Sequence, residues 1–136
     1  MISLKSHYGI KAMVVLAANY GKKPVGAREI ATQQDIPFKY LQGLLAELCK
    51  ARIINSQRGK NGGFMLLKKP DKITVWDIVA VFEGKMLFTP MESATGTRKT
   101  SAVYATIWKE AEKSITDYLK SIKISTLLNR VKKSSC

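Results

Sequence analysis

At 136 residues and 46% hydrophobic content, the chain is long enough for one domain with a packed core, or a small domain plus an extension, and disorder is excluded as its default state. Its 23 basic residues against 10 acidic ones, a net charge of +13, favour a polyanionic partner such as nucleic acid or an anionic membrane. The charge-free run between Lys11 and Lys22 is too short to span a bilayer, no longer apolar run occurs after it, and Cys49 and Cys136 offer neither a disulfide framework nor a metal knuckle, which together fit a cytoplasmic protein.

The charge surplus is uneven. Residues 1–72 hold 13 Lys/Arg and 4 Asp/Glu, whereas residues 73–136 hold 10 and 6. In the basic half, Leu4 to Tyr20 reads as a core helix, because Tyr8, Ala12, Val15, Leu16 and Asn19 recur at three- and four-residue steps and Gly21 stands where a C-terminal cap belongs. Ala27 to Gln34 reads as a second, short helix, with Gly26 at its N-cap and Glu29 in the first turn, where a carboxylate meets the positive end of the helix dipole. Asp35-Ile36 makes a turn. Pro37 then suits the first position of a third helix, since its missing N–H costs nothing there.

In that third helix, spanning 37–50, Phe38, Leu41, Leu44, Leu45 and Leu48 form one apolar stripe and leave Lys39, Gly43, Ala46 and Lys50 on the other side. Two short helices joined by a tight turn, the second with an apolar back and a small cationic front, match a recognition helix entering a DNA major groove. Any surface helix is amphipathic, so the pattern gains its weight from the neighbouring hairpin. Ile53 to Lys68 carries a hairpin signal, Asn61-Gly62 between β-forming runs, and predicts a two-residue turn that projects Arg58 and Lys60. A cationic hairpin directly after a helix pair reads as the wing of a winged helix-turn-helix; a solvated turn with stray charges is the plainer alternative.

Lys68 to Asp71 reads as a turn. A short helix starting at Thr74 and running through Trp76, Val79, Ala80 and Phe82 to Gly84 closes the winged domain. Residues 85–100 show no periodicity and read as a loop, whose Met86, Leu87, Phe88 and Met91 either line an effector pocket or merely pack. From Ser101 to about Ile122 a longer helix carries Tyr104, Trp108, Ala111, Ile115, Tyr118 and Ile122 in heptad spacing. Val103, Ile107 and Leu119 give it a second apolar edge. That edge is expected to face the home domain while the heptad seam meets a partner helix; packing of the seam on its own domain is the other reading. Ile124, Leu127, Leu128 and Val131 continue the apolar pattern before a solvated end.

The ordered set Lys5-x-x-Tyr8-Gly9-x-x-Ala12-Met13, Glu29-Ile30-Ala31, Tyr40-Leu41 with Leu44-Leu45, Arg58-Gly59-x-x-Gly62-Gly63-Phe64, Thr74-x-x-Asp77-Ile78-x-x-Val81-Phe82-Glu83-Gly84 and Trp108 resembles the Rrf-two family of bacterial winged-helix transcriptional regulators over nearly the whole length. The resemblance implies a mainly α fold with a small β-hairpin: a winged helix-turn-helix DNA-binding domain at 1–84, a loop in the sensor position at 85–100, and a dimerisation helix with a C-terminal segment at 101–136. It implies a homodimeric, sequence-specific regulator, a repressor or an activator with repressor the favoured reading, on a palindromic operator, with helix 37–50 in the major groove and the wing, 57–63, in the minor groove. Lys39, Tyr40 and Gln42 then lie where family members contact bases and phosphates, with Gln42 either pairing with adenine or remaining a solvated surface residue. Lys39 suits a phosphate. Gly43 departs from the larger polar residue common in the family, and closer backbone approach is one explanation. Arg58 fits a narrow, strongly negative minor groove, with Gly59, Lys60 and Asn61 at its wall. Lys5 and Arg28 complete the expected DNA-contacting set.

Many members of that family hold an iron–sulfur cluster through three cysteines, and the corresponding places here fall near Pro90, Gly96 and Ala102. No thiolate stands at any of them. The resemblance is therefore to cluster-free members, without a metal or other cofactor, whose signals are small molecules, partner proteins or thiol oxidation. Cys49, beside the apolar stripe of the third helix, reads as a small buried hydrophobe over a redox switch, Cys136 as an exposed terminal thiol, and His7 as a phosphate neighbour. The same charge also suits a nonspecific or architectural DNA-binding protein, with little preference among duplexes and steep salt dependence. An enzyme is not expected: no nucleophile–base pair, clustered metal ligands or phosphate-binding glycine loop is present. A membrane role is not expected either, since the apolar faces are needed for the core.

Overall fold

Ala12 to Ala17 are buried without a break, so the first helix, α1 (Leu4–Ala18), is apolar all round over its second half and lies at the centre of the molecule. The structure is a computed structural model that describes residues 2–84 and 98–134. Around α1 are arranged α2 (Ala27–Gln34), α3 (Phe38–Lys50), an antiparallel hairpin of β1 (Ile54–Gln57) and β2 (Gly63–Leu66), a 3-10 turn at Pro70–Lys72, α4 (Val75–Glu83), α5 (Arg98–Ser121) and α6 (Ile124–Ser134). This is the mainly α, winged-helix architecture with a long C-terminal helix that the sequence predicts.

The first helix ends at Ala18, two residues before the expected Tyr20, because the Asn19 side chain donates from Nδ2 to the Val15 carbonyl at 2.9 Å and closes the last turn. The second helix occupies the predicted span, with Gly26 at its N-cap and Glu29 in its first turn. Asp35, in the left-handed region at φ 53°, turns the chain towards α3. Pro37 is the N-cap and not the first helical residue. Its ring fixes φ at −55°, but ψ is extended at 128°, and its carbonyl accepts from Leu41 N–H at 2.9 Å.

Leu41, Leu44, Leu45 and Leu48 of α3 are at most 2% exposed, and burying each contributes about 1.5–3 kcal/mol. The helix closes with paired bonds, Arg52 N–H to the Cys49 carbonyl at 3.0 Å and Ile53 N–H to the Leu48 carbonyl at 3.1 Å. That is a Schellman cap. Its left-handed position, usually glycine, is Arg52 at φ 61°.

The hairpin pairs Ile54 with Leu66 and Gln57 with Gly63, so its loop runs from Arg58 to Gly62 and is not a two-residue Asn61-Gly62 turn. Neither Asn61 nor Gly62 has a positive φ; that role falls to Gly59 at 111° and Gly63 at 150°. The reason lies in a third, single-residue strand. Val25 exchanges two backbone bonds with Phe64, at 2.9 and 2.8 Å, and a Cβ on Gly63 would stand 2.5 Å from the Val25 carbonyl oxygen. With Gly63 held against Val25, its partner across the hairpin is Gln57 and not Lys60, the partner that a two-residue Asn61-Gly62 turn would require.

Thr74 caps α4 and does not start it. Its hydroxyl accepts from Asp77 N–H at 3.2 Å while the Asp77 carboxylate accepts from Thr74 N–H at 2.9 Å, a reciprocal capping box. The helix packs against α1 at Gly9, where a Cβ would meet the Phe82 ring at 2.5 Å. At its other end the Glu83 carboxylate accepts from Ser3 N–H at 2.6 Å and from the buried Ser6 hydroxyl at 2.9 Å. Partial burial alone raises a carboxyl's pKa, but the bonds from Ser3 and Ser6 outweigh it and hold Glu83 below the usual carboxylate range.

The long helix α5 begins at Arg98, not Ser101, and at 24 residues is about 36 Å long. The remainder of the expected loop, including Met86, Leu87, Phe88, Met91, Pro90 and Gly96, lies outside the described residues, as does Cys136. After α5 the chain returns to the N-terminal core. Val75 N–H donates to the Ile122 carbonyl at 2.9 Å, Ile124 N–H donates to the Ile73 carbonyl at 2.8 Å, and Ile124 is fully buried. Leu127 and Leu128 come next and pack against that core.

Candidate nucleic-acid interface

The apolar stripe of α3 faces inward and leaves Lys39, Tyr40, Gln42 and Gly43 exposed on the outward side of its first two turns. A Cβ on Gly43 would touch nothing within 4 Å. The packing of the chain itself therefore does not demand glycine there, which leaves room for an approaching partner as the reason for it.

Around this face α1 and α2 contribute more than their sequence pattern promised. Tyr40 meets Tyr8 edge to face, with centroids 5.7 Å apart and planes at 80°. The Lys11 ammonium stands 5.9 Å from the Tyr8 ring centroid. Tyr8 and Lys11 are not among the expected contact residues, although Lys5, Tyr8 and Lys11 at three-residue steps lie close together on one side of a helix. Lys5 pairs with Glu47 of α3 at 3.6 Å, both groups about half exposed, a weak surface pair that phosphate competition could open. The Arg28 guanidinium is centred 4.2 Å over the Phe38 ring and ties α2 to the start of α3.

Arg58, Gly59, Lys60 and Asn61 are all exposed at the hairpin tip. Gly62 N–H bonds the Gly59 carbonyl at 3.0 Å, which puts Lys60 and Asn61 at the corner of a β-turn. A Cβ on Gly62 would run into the Gln57 carbonyl oxygen. The tip is thus a small, tight loop whose side chains are solvent-facing cations and an amide. The base is the opposite: Ile54 and Leu66, opposed in register, are both buried and anchor the hairpin.

Along α5, exposure divides by length and not by edge. Val103, Tyr104, Ile107 and Trp108 are 48–61% exposed, whereas Ile115, Leu119 and Ile122 pack against the core. Of the edge expected to face the home domain, only Leu119 does so. Val103 and Ile107 join Tyr104 and Trp108 in one exposed apolar surface on the first half of the helix. From the seam, Ala111 is half-buried and Tyr118 is exposed. No helix among the described residues is long and apolar enough to cross a membrane.

A helix pair with an exposed polar face on its second member, succeeded by a basic-tipped hairpin, is the winged helix-turn-helix of DNA-binding transcription regulators. The chain belongs to the Rrf2 family, described as iron-dependent transcriptional regulators, which it matches over residues 2–130. It is 32% identical over 126 residues to an HTH-type transcriptional regulator of Synechocystis, covering 93% of this chain and 86% of that one. Among solved structures, T. potens IscR superposes with a TM-score of 0.81 at 34% identity, covering 100% of this chain and 91% of that one. The global cysteine regulator CymR of B. subtilis superposes with a TM-score of 0.82 at 28% identity, covering 96% and 97%. Family and relatives are regulators of transcription, not enzymes.

The donor set of this chain does not fit a cluster held by three thiolates. The sequence has two cysteines and one histidine. Cys49 lies on α3 against the core, with burial raising its thiol pKa, and Ala102 is an exposed residue of α5. Among the described residues no three His, Cys, Asp or Glu side chains come together.

Proposed function

We propose that the chain is a cytoplasmic, homodimeric repressor that reads a palindromic operator, with α3 in the major groove and the wing tip in the minor groove. The observation that carries this reading is the pairing of two exposed elements on buried anchors: Lys39 to Gly43 over a leucine stripe, and Arg58 to Asn61 over Ile54 and Leu66. Gln42 offers a bidentate amide to adenine, Lys39 a counter-ion to phosphate, and Arg58 a cation for a narrow groove. Lys5, Arg28 and Tyr40 flank the same face. In the dimer, Tyr104, Trp108, Ala111 and Tyr118 of α5 meet a second copy, joined by Val103 and Ile107; Ile115 and Ile122, which the heptad spacing places in that seam, serve mainly to dock α5 on its own domain. The division of labour is a winged domain at 1–84 and a dimerising segment from Arg98 to the end of the chain, with the residues between them in the sensor position and α6 buttressing the winged domain.

The regulator works without an iron–sulfur cluster, because the thiolates such a cluster needs are not in the chain. Its signal is a small molecule or a partner protein.

The test is to incubate the reduced protein with fragmented genomic DNA from its own source at physiological salt and sequence what it retains. Enrichment of one palindrome supports the reading. Uniform retention, with affinity falling steeply as salt rises, would instead establish a nonspecific or architectural DNA-binding protein.

A further inference from the structure

Arg52 and Asp35 are the non-glycine residues with a positive φ among the described ones. A left-handed backbone disfavours any residue with a Cβ, and aspartate tolerates it better than arginine. Arginine at the position that closes α3 therefore calls for a use of its side chain. That side chain lines a cleft of about 300 Å³ at the junction of α3, the wing base and α4. Lys68 and Lys72 line the same cleft, and its apolar wall includes Ile53, Ile73 and Val81. All three cations are exposed, and none has an ion pair among the described residues. Asp77 is the one acidic residue at the cleft, and its carboxylate is engaged with Thr74 N–H in the helix cap.

We propose that this cleft binds a small anion of two or more negative charges, a phosphate ester or a polycarboxylate, through Arg52, Lys68 and Lys72. Three unpaired cations around a concave site with an apolar wall suit a compact polyanion with a carbon skeleton. The negative end of the α3 dipole lies beside the cleft, so the side-chain cations must supply the attraction. A DNA backbone is the less suitable occupant. Arg52 lies past the far end of α3, about 15 Å of helix beyond Tyr40, and Lys68 lies past β2, whose other end carries the wing tip about 13 Å away. A duplex engaged by the first turns of α3 and by that tip leaves the cleft open, so the anion and DNA bind together.

Backbone-amide NMR of the reduced full-length chain, titrated with inorganic phosphate and in parallel with citrate at constant ionic strength, tests this. The expected result is saturable shifts confined to residues 51–53, 68–73 and 77–81. Affinity should fall about tenfold in Lys68→Gln and in Lys72→Gln and be unchanged in Lys22→Gln. Arg52→Gly separates a ligand role from a merely structural one: relief of the left-handed strain raises the melting temperature, while anion affinity falls. Saturation by phosphate assigns the site to phosphate esters, and saturation by citrate to polycarboxylates. Shifts that do not saturate, or that spread over all surface lysines, mean an adventitious ion only and overturn the proposal. So does a duplex that moves the cleft amides and blocks phosphate. Amides 39–43 and 58–61 report DNA binding independently, so failure at the cleft is distinct from failure of the DNA reading.

Discussion

Glu83 shows how much a single partly buried carboxylate does in this fold. It accepts from Ser3 N–H and the Ser6 hydroxyl and so fastens the start of α1 to the end of α4. With its folded pKa below the unfolded value, its contribution is fully present above about pH 4.3 and is lost as pH falls through the folded pKa. Glu83→Gln should therefore lower unfolding free energy by about 1 kcal/mol at pH 7, and the gap to the parent chain should narrow in denaturant melts as pH is lowered below about 4.3 and close once pH lies below the folded pKa. A gap that is the same at every pH would show that the charge is not involved. Arg52 predicts the opposite sign. Because its φ of 61° is strained for a residue with a Cβ, Arg52→Gly should raise stability by about 1 kcal/mol, read as an increased denaturant midpoint at unchanged m value. At Cys49, burial raises the thiol pKa and keeps it protonated, so alkylation at neutral pH should be slow in the folded chain and become rapid only on unfolding.

Elements with strong periodic patterns are legible in the sequence, and those fixed by distant contacts are less so. The leucine stripe of α3, the span of α2 and the heptad spacing of α5 all arise from local residue types. The wing lies where the sequence predicts it but its turn does not, because Asn61-Gly62 is a local signal while the actual register depends on Val25, a residue before α2 with no mark of its own. Likewise the docking of Ile124 against Ile73, and the half-and-half exposure of α5, depend on where the chain returns after a long excursion. The left-handed Arg52 carries no sequence signal, since the usual glycine is missing. Two glycines allow the wing and α3 to be tested against each other. Gly63→Ala must displace the Val25 carbonyl, so it should cost about 1–3 kcal/mol in stability and weaken DNA binding, whereas Gly43→Ala, which meets nothing, should stabilise α3 by up to about 1 kcal/mol. If Gly43→Ala also lowers DNA affinity in an anisotropy titration, close approach of DNA to the α3 backbone is the reason for the glycine; unchanged affinity would remove that reason.

Among the described residues the molecule is a winged domain whose core is completed by the last helix, with exposed apolar side chains on the first half of α5. Replacing Val103 and Ile107 together by lysine should leave the melting temperature of the isolated domain nearly unchanged, because both side chains are at least half exposed. The pair should nevertheless convert a dimer to a monomer in sedimentation velocity; a dimer that survives would place the interface elsewhere. The basic surplus of +13 makes any DNA measurement depend on salt, so specificity must be read against competitor at fixed ionic strength. The most direct measurement is a titration of the palindrome recovered from genomic DNA, and of a scrambled duplex of the same composition, by fluorescence anisotropy at physiological salt, with stoichiometry from native mass spectrometry. Two chains per palindrome are expected, with preference over the scrambled duplex of at least about a thousandfold, most of it lost in Gln42→Ala and Arg58→Ala. One chain per duplex, or equal affinity for the two sequences, would contradict sequence reading by a homodimer.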